Sequence, residues 1–65
     1  MRILLDEVLK DKKISVRQAE RMTDVSKSSI SKIRRGKVYP TALTLEKLAK
    51  GLNVRIIDLM ESKYL

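Results

Sequence analysis

The sequence predicts an all-α fold, a compact arrangement of five short helices in one domain spanning residues 1–65. Apolar residues recur at helical spacing along the chain. Residues that cap helix N-termini precede several of these stretches, and Gly, Asp or Asn follows them where a helix would end. No segment of four or more residues alternates apolar and polar side chains, so no sheet is expected. The predicted helices cover about residues 2–12, 15–23, 26–35, 41–52 and 55–62.

The first three helices follow from local signals. Leu5, Val8 and Leu9 share one face of the first helix. For the second helix, Ser15 and Gln18 are three residues apart, which predicts a capping box. Three further residues delimit the second and third helices, namely Asp24 as a left-handed turn residue, Ser26 as the N-cap of the third helix and Gly36 as its end.

The last two helices carry the rest of the predicted core. The fourth helix opens at Pro40 and Thr41 and should end at Asn53, a residue that tolerates a left-handed conformation. Its apolar face consists of Leu45, Leu48, Ala49 and Leu52. The short fifth helix carries Ile56, Leu59 and Met60.

The third helix has two contrasting faces. At about 100° per residue, Ile30 and Ile33 define its buried direction. Polar side chains on or beside the opposite face are, in chain order, Lys27, Ser28, Ser31, Lys32 and Arg35. Lysine can donate to guanine, and serine can donate to or accept from several base edges. The pattern is therefore typical of a helix that packs on a small core and enters the major groove of DNA.

The positive charge is concentrated around this helix. The chain has a formal net charge of +7. The segment between Val25 and Leu45 contains no acidic residue, and its basic residues are Lys27, Lys32, Arg34, Arg35 and Lys37. A local basic face favours a polyanionic partner. The N-terminus of the third helix could also receive a phosphate beside Ser26, in addition to its capping role.

Composition argues against several other classes. There is no Cys or His, so we expect no disulfide, no metal, no cofactor and no enzyme activity. No apolar run approaches the roughly 20 residues that cross a bilayer, and the start does not resemble a signal peptide, so we expect a cytoplasmic protein without a membrane partner. The two aromatic residues, Tyr39 and Tyr64, are too few for the stacking surfaces of a single-strand binder. No small-molecule ligand is evident.

The ordered motif resembles the Cro and lambda-repressor type of helix-turn-helix domain, the Xre family, over about residues 3–61. The matching residues are Ser15, Arg17, Ala19, Thr23, Val25, Ser26, Ser28, Ile30, Ser31, Ile33 and Gly36. The resemblance implies that the third helix is a recognition helix, with base contacts from Lys27, Ser28, Lys32 and also Ser31. It also implies that the phosphate backbone is contacted by Ser15, Arg17, Arg35, Lys37 and Tyr39.

Four features depart from the family pattern, and one of them is the basic pair Arg34 and Arg35 before Gly36, where the family commonly has an acidic residue or Asn. Val16 replaces the Gln that commonly opens the second helix, so its phosphate contact would pass to Arg17. Glu20 replaces a small residue and must swing outward or pair with a base, for which Arg34 and Arg17 are the candidates. Asp24 replaces the usual Gly in the turn.

We therefore expect a sequence-specific regulator of transcription, acting as a repressor, that binds a palindromic operator in double-stranded DNA as a homodimer. The C-terminal segment leaves two interpretations open: Ile56 and Leu59 could close the core, and a dimer seam could form from Ile57, Met60, Tyr64 and Leu65. The alternative function is a module that binds a protein partner, such as an antitoxin, with DNA binding secondary.

Overall fold

The computed structural model describes all of residues 1–65. Four α-helices form the body of the molecule. In chain order the elements are β1 (Arg2–Ile3), α1 (Leu5–Lys12), α2 (Val16–Thr23), α3 (Lys27–Arg34), α4 (Ala42–Leu52), a 3-10 helix (Ile56–Leu59) and β2 (Met60–Glu61). The predicted helical fold class, with α2 and α3 as the helix-turn-helix, is confirmed.

The core lies where the inner faces of the four α-helices and the 3-10 helix meet. It consists of the buried residues Leu5, Leu9, Ala19, Val25, Ile30, Ile33, Leu45, Leu48, Ala49, Leu52 and Leu59. Each fully buried Leu or Ile side chain stabilises the fold by about 1.5–3 kcal/mol relative to an exposed one. The apolar faces predicted for the third and fourth helices are therefore the faces that pack.

Left-handed residues end the helices where the sequence predicts them. Asp24 has φ 59° and Asn53 has φ 58°, so both adopt the conformation expected of them. Gly36, with φ 72°, follows α3 in the same region of backbone space. Lys13 also adopts it, with φ 57°, and ends α1 although its side chain gives no such signal.

The expectation of no sheet is wrong. β1 and β2 form a two-stranded antiparallel pair, with Arg2 opposite Glu61 and Ile3 opposite Met60. Ile3 and Met60 pack against the core, which gives this short pair an inner face. Strands of two residues are too short to show a period of two in the sequence, so the periodicity argument could not detect them.

The strand pair also corrects two helix boundaries. The first helix begins at Leu5 rather than near residue 2, because Arg2–Ile3 is extended against β2. The predicted fifth helix, residues 55–62, is a single 3-10 turn over Ile56–Leu59 that ends where Met60 becomes extended. In this turn Leu59 is fully buried, whereas Ile56 is 38% exposed, so Leu59 alone closes the core.

Candidate nucleic-acid interface

The N-terminus of α2 is held by a reciprocal cap. Ser15 Oγ accepts a hydrogen bond from the Gln18 backbone N–H at 3.1 Å, and Gln18 Oε1 accepts from the Ser15 backbone N–H at 3.0 Å. The predicted capping box is thus confirmed. It fixes where α2 begins and leaves Ser15 and Arg17 exposed on the same end of the helix.

Thr23 closes the turn between α2 and α3. Its buried Oγ1 donates to the Ala19 carbonyl oxygen at 2.6 Å and accepts from the Val25 backbone N–H at 3.3 Å. The left-handed Asp24 reverses the chain between these two contacts, and its N–H donates to the Glu20 carbonyl. The turn therefore brings Val25 into the core and sets the direction in which α3 leaves. The motif included Thr23, but its capping role was not predicted.

The N-terminus of α3 is capped by two side chains. Ser26 Oγ accepts from the Ser29 backbone N–H at 3.1 Å, as predicted for an N-cap, and the Ser26 hydroxyl donates to Ser29 Oγ at 2.9 Å. Glu20 Oε2 accepts from the Lys27 backbone N–H at 2.8 Å. Of the two alternatives expected for Glu20, pairing with Arg34 or Arg17 is wrong, since its carboxylate bonds to the start of α3 instead.

The two faces of α3 separate as the helical period predicts. Ile30 and Ile33 are buried in the core. The exposed residues on the other side are Lys27, Ser28, Lys32 and, just after the helix, Arg35. Ser31 is half-buried, which agrees with its predicted position at the margin. The side chains of Lys27, Ser28 and Lys32 form no hydrogen bond or ion pair within the chain, so they are available to a partner.

The charge on this face is largely unneutralised. Of the five basic residues between Val25 and Leu45, only Arg34 forms an ion pair within the chain. The other four, Lys27, Lys32, Arg35 and Lys37, are exposed. A convex basic helix of this kind, anchored by apolar side chains on its inner side, is suited to an extended polyanion with a groove.

Residues 5–59 match the sequence profile of the HTH_3 family, described as helix-turn-helix. The chain belongs to the HTH_3 helix-turn-helix family. The match spans every α-helix of the fold and confirms the expected membership of the Cro type. No curated protein matches the chain.

A solved structure is similar to this HTH_3 domain over most of its length. It is the crystal structure of an HTH_3 family transcriptional regulator from Vibrio cholerae, with a TM-score of 0.78 and 35% sequence identity. The similarity covers 80% of this chain but 29% of that protein. The chain therefore spans less than a third of the regulator that it resembles.

The end of α3 in this HTH_3 domain is tied to α1. Arg34 Nη2 and Nε donate to Asp6 Oδ1 at 2.6 and 2.8 Å, and Lys10 Nζ lies 2.9 Å from Asp6 Oδ2. Hydrogen bonds from Lys10 and from Arg34 hold the pKa of Asp6 below its ordinary value. Arg34 is thereby withdrawn from the outer face, whereas Arg35 stays exposed and its Nε donates to the Ser31 carbonyl at 3.3 Å.

The loop after α3 places two more predicted residues near this end of the helix. The left-handed Gly36 turns the chain, and the exposed Lys37 follows it. Tyr39 is 73% exposed, and its hydroxyl donates to the Met1 carbonyl at 3.4 Å. This long contact leaves most of the ring accessible.

The four residues predicted for a dimer seam differ in exposure. Ile57, Tyr64 and Leu65 are 51%, 85% and 62% exposed, respectively. Met60 is half-buried and packs against the core from β2.

The helices are all too short, or too polar, to span a membrane. No group of three or more acidic residues is arranged to hold a metal ion.

Proposed function

We propose that this HTH_3 protein is a transcriptional regulator that binds double-stranded DNA sequence-specifically and acts as a repressor. The observation that carries the proposal is the outer face of α3. There Lys27, Ser28 and Lys32 are exposed without partners in the chain, while Ile30 and Ile33 anchor the helix to the core. A helix held in this way can enter the major groove without loss of its packing.

The proposed contacts divide into two classes. Base edges would be contacted by Lys27, Ser28 and Lys32, with Ser31 at the margin, because lysine and serine donate to and accept from bases in the major groove. Phosphates would be contacted from both sides of that helix by Ser15, Arg17, Ser26, Arg35, Lys37 and Tyr39. Base contacts set sequence preference, and phosphate contacts set affinity and register.

Two copies would bind one palindromic operator. In this arrangement the recognition helices lie about 34 Å apart in successive major grooves. The dimer seam is proposed at the C-terminal segment, where Ile57, Tyr64 and Leu65 are exposed and Met60 packs against the core. Repression would result from occlusion of RNA polymerase at the operator. The similarity to a Vibrio cholerae transcriptional regulator supports this function.

A second candidate function is binding to a protein partner, as in an antitoxin or accessory regulator. It is favoured by the same exposed apolar residues of the C-terminal segment, Ile57, Tyr64 and Leu65. In that case DNA binding would be secondary, and the C-terminal segment would be occupied by the partner rather than by a second copy.

Selection from a random duplex DNA pool at about 150 mM salt tests the proposal, with the size of each bound complex measured. Enrichment of an inverted repeat bound by two copies is the expected result. Binding that shows no sequence enrichment and vanishes as salt rises would contradict sequence-specific regulation. It would leave only non-specific backbone affinity and favour the protein-partner function.

A further inference from the structure

Glu20 makes a contact that joins the two helices of the helix-turn-helix. It is the fifth residue of α2 and is half-buried. Its Oε2 accepts the Lys27 backbone N–H at 2.8 Å, across seven positions of the chain. Lys27 is the first residue of α3, so the carboxylate sits at the N-terminal end of the proposed recognition helix.

A helix N-terminus favours an anion because its first N–H groups lack partners within the helix and the helix dipole is positive there. In α3 the Ser29 N–H is taken by Ser26 Oγ and the Lys27 N–H by Glu20. A DNA phosphate that approached this end would have to displace Glu20 or be repelled by its negative charge. The phosphate contact proposed for Ser26 would therefore be made against the negative charge of the Glu20 carboxylate.

No other carboxylate accepts a hydrogen bond from α3 at this end. Asp24 is nearby in sequence, but it lines a cleft on the α2–α4 side together with Arg21, Lys47 and Lys50. The basic segment beyond Val25 contains no acidic residue to moderate its attraction for phosphates. Glu20 thus supplies the one carboxylate that hydrogen-bonds to the start of this basic helix.

We propose that Glu20 is a specificity-determining residue, whose carboxylate holds the start of α3 and lowers the affinity of the domain for DNA phosphates of any sequence. The proposal rests on the proposed binding of DNA through α3. Base contacts made farther along the helix by Ser28 and Lys32 would be less affected. The ratio of operator affinity to random-DNA affinity is therefore higher with Glu20 than without its charge.

Glu20→Gln tests the charge separately from the contact, because glutamine keeps the length and an oxygen that can accept from Lys27. We expect its affinity for random duplex DNA at about 50 mM salt to rise about three- to fivefold, with a salt slope steeper by about one unit. Operator affinity should rise less, so the specificity ratio falls. Glu46→Gln is the matched control, since Glu46 is exposed on α4 and has no partner. It makes the same charge change and should shift both affinities by less than about twofold.

Glu20→Ala provides a second test, because it restores the small residue usual at this position in the family. It should also bind random DNA more tightly, and its melting temperature should fall since the Lys27 N–H loses its acceptor. If both Glu20 variants match Glu46→Gln in affinity and salt slope, or bind random DNA more weakly than the wild type, the proposal is overturned and Glu20 is only structural. Failure of the wild type to enrich an operator would instead contradict the proposed function, and the random-DNA comparison would still decide the role of Glu20.

Discussion

Asp6 of α1 and Arg34 of α3 form an ion pair that fixes the end of α3 against α1. Arg34 Nη2 and Nε both donate to the same oxygen, Asp6 Oδ1, at 2.6 and 2.8 Å. Lys10 forms an ion pair with the other oxygen, Asp6 Oδ2. The Asp6 and Arg34 side chains are 28% and 31% exposed, so the pair is partly shielded from water. The contact connects helices that are 28 positions apart in the chain.

This ion pair predicts an acid-sensitive contribution to stability. Because hydrogen bonds from Lys10 and Arg34 hold the pKa of Asp6 below its ordinary value, folding favours the ionised carboxylate. The stability it contributes is present above about pH 4 and is lost as the pH falls through the lower folded pKa. We expect Asp6→Asn to melt at a lower temperature than the wild type at pH 7, with a difference that shrinks toward pH 2. Circular dichroism melts measure this.

Asp11→Asn is the control for that series, because Asp11 is exposed on the same helix and forms no ion pair. Its melting temperature should follow the wild type at every pH. A gap between Asp6→Asn and the wild type that stayed constant from pH 7 to pH 2 would show that the carboxylate charge is not what stabilises the fold.

Lys32→Ala should weaken operator binding by about 1–3 kcal/mol and relax the preference at one base pair, because Lys32 projects from the exposed face of α3. Titrations of the operator and of single-base variants measure both effects. Lys50→Ala, on α4 and outside the proposed interface, should change neither. Equal losses on operator and random DNA would make Lys32 a phosphate contact instead.

Lys37→Ala should weaken operator and random DNA about equally. Lys37 follows the turn at Gly36 and has no partner in the chain, so its charge is available to a phosphate. We expect the slope of log affinity against log salt to flatten by about one unit. The measurement is a salt titration from about 50 to 200 mM on both DNAs. An unchanged slope would remove Lys37 from the interface.

Gly51→Ala should destabilise the fold although alanine is the better helix former. A Cβ at Gly51 would overlap the Met22 carbonyl oxygen and lie 2.6 Å from Thr23 Cα, because α4 packs directly on the end of α2. We expect a loss of about 1–3 kcal/mol in the free energy of unfolding, measured by urea denaturation. The neighbouring Lys50→Ala should stay within about 0.5 kcal/mol of the wild type. An unchanged or increased stability of Gly51→Ala would contradict the close packing.

Ile57→Asp should abolish the proposed dimer without unfolding the chain. The Ile57 side chain is 51% exposed, so a charge there costs little in the monomer but would be buried in a dimer seam. Sedimentation velocity should give a monomer for this variant and a dimer for Leu43→Asp, whose exposed position on α4 lies outside the seam. Dimers of unchanged affinity in Ile57→Asp would place the seam elsewhere.

Features built from neighbouring residues were predictable. The cap of Ser15 with Gln18, the cap at Ser26 and the left-handed turn at Asp24 each depend on side chains within a few positions. The buried and exposed faces of α3 follow from the 3.6-residue period once the helix is recognised. The family itself could be recognised from the same local pattern, and residues 5–59 confirm it. The DNA-contacting roles assigned to these side chains stay predictions.

The sequence by itself thus determined the helix-turn-helix, its caps and the outward direction of Lys27, Ser28 and Lys32, because helix formation and capping are local. Only the tertiary structure decided the contacts between distant segments. It shows that β1 pairs with β2 and that Arg34 forms an ion pair with Asp6. It also shows that Glu20 accepts a hydrogen bond from the Lys27 N–H rather than pairing with an arginine. Such pairings depend on how whole helices pack around the core. The spacing of residues within one segment does not predict that packing.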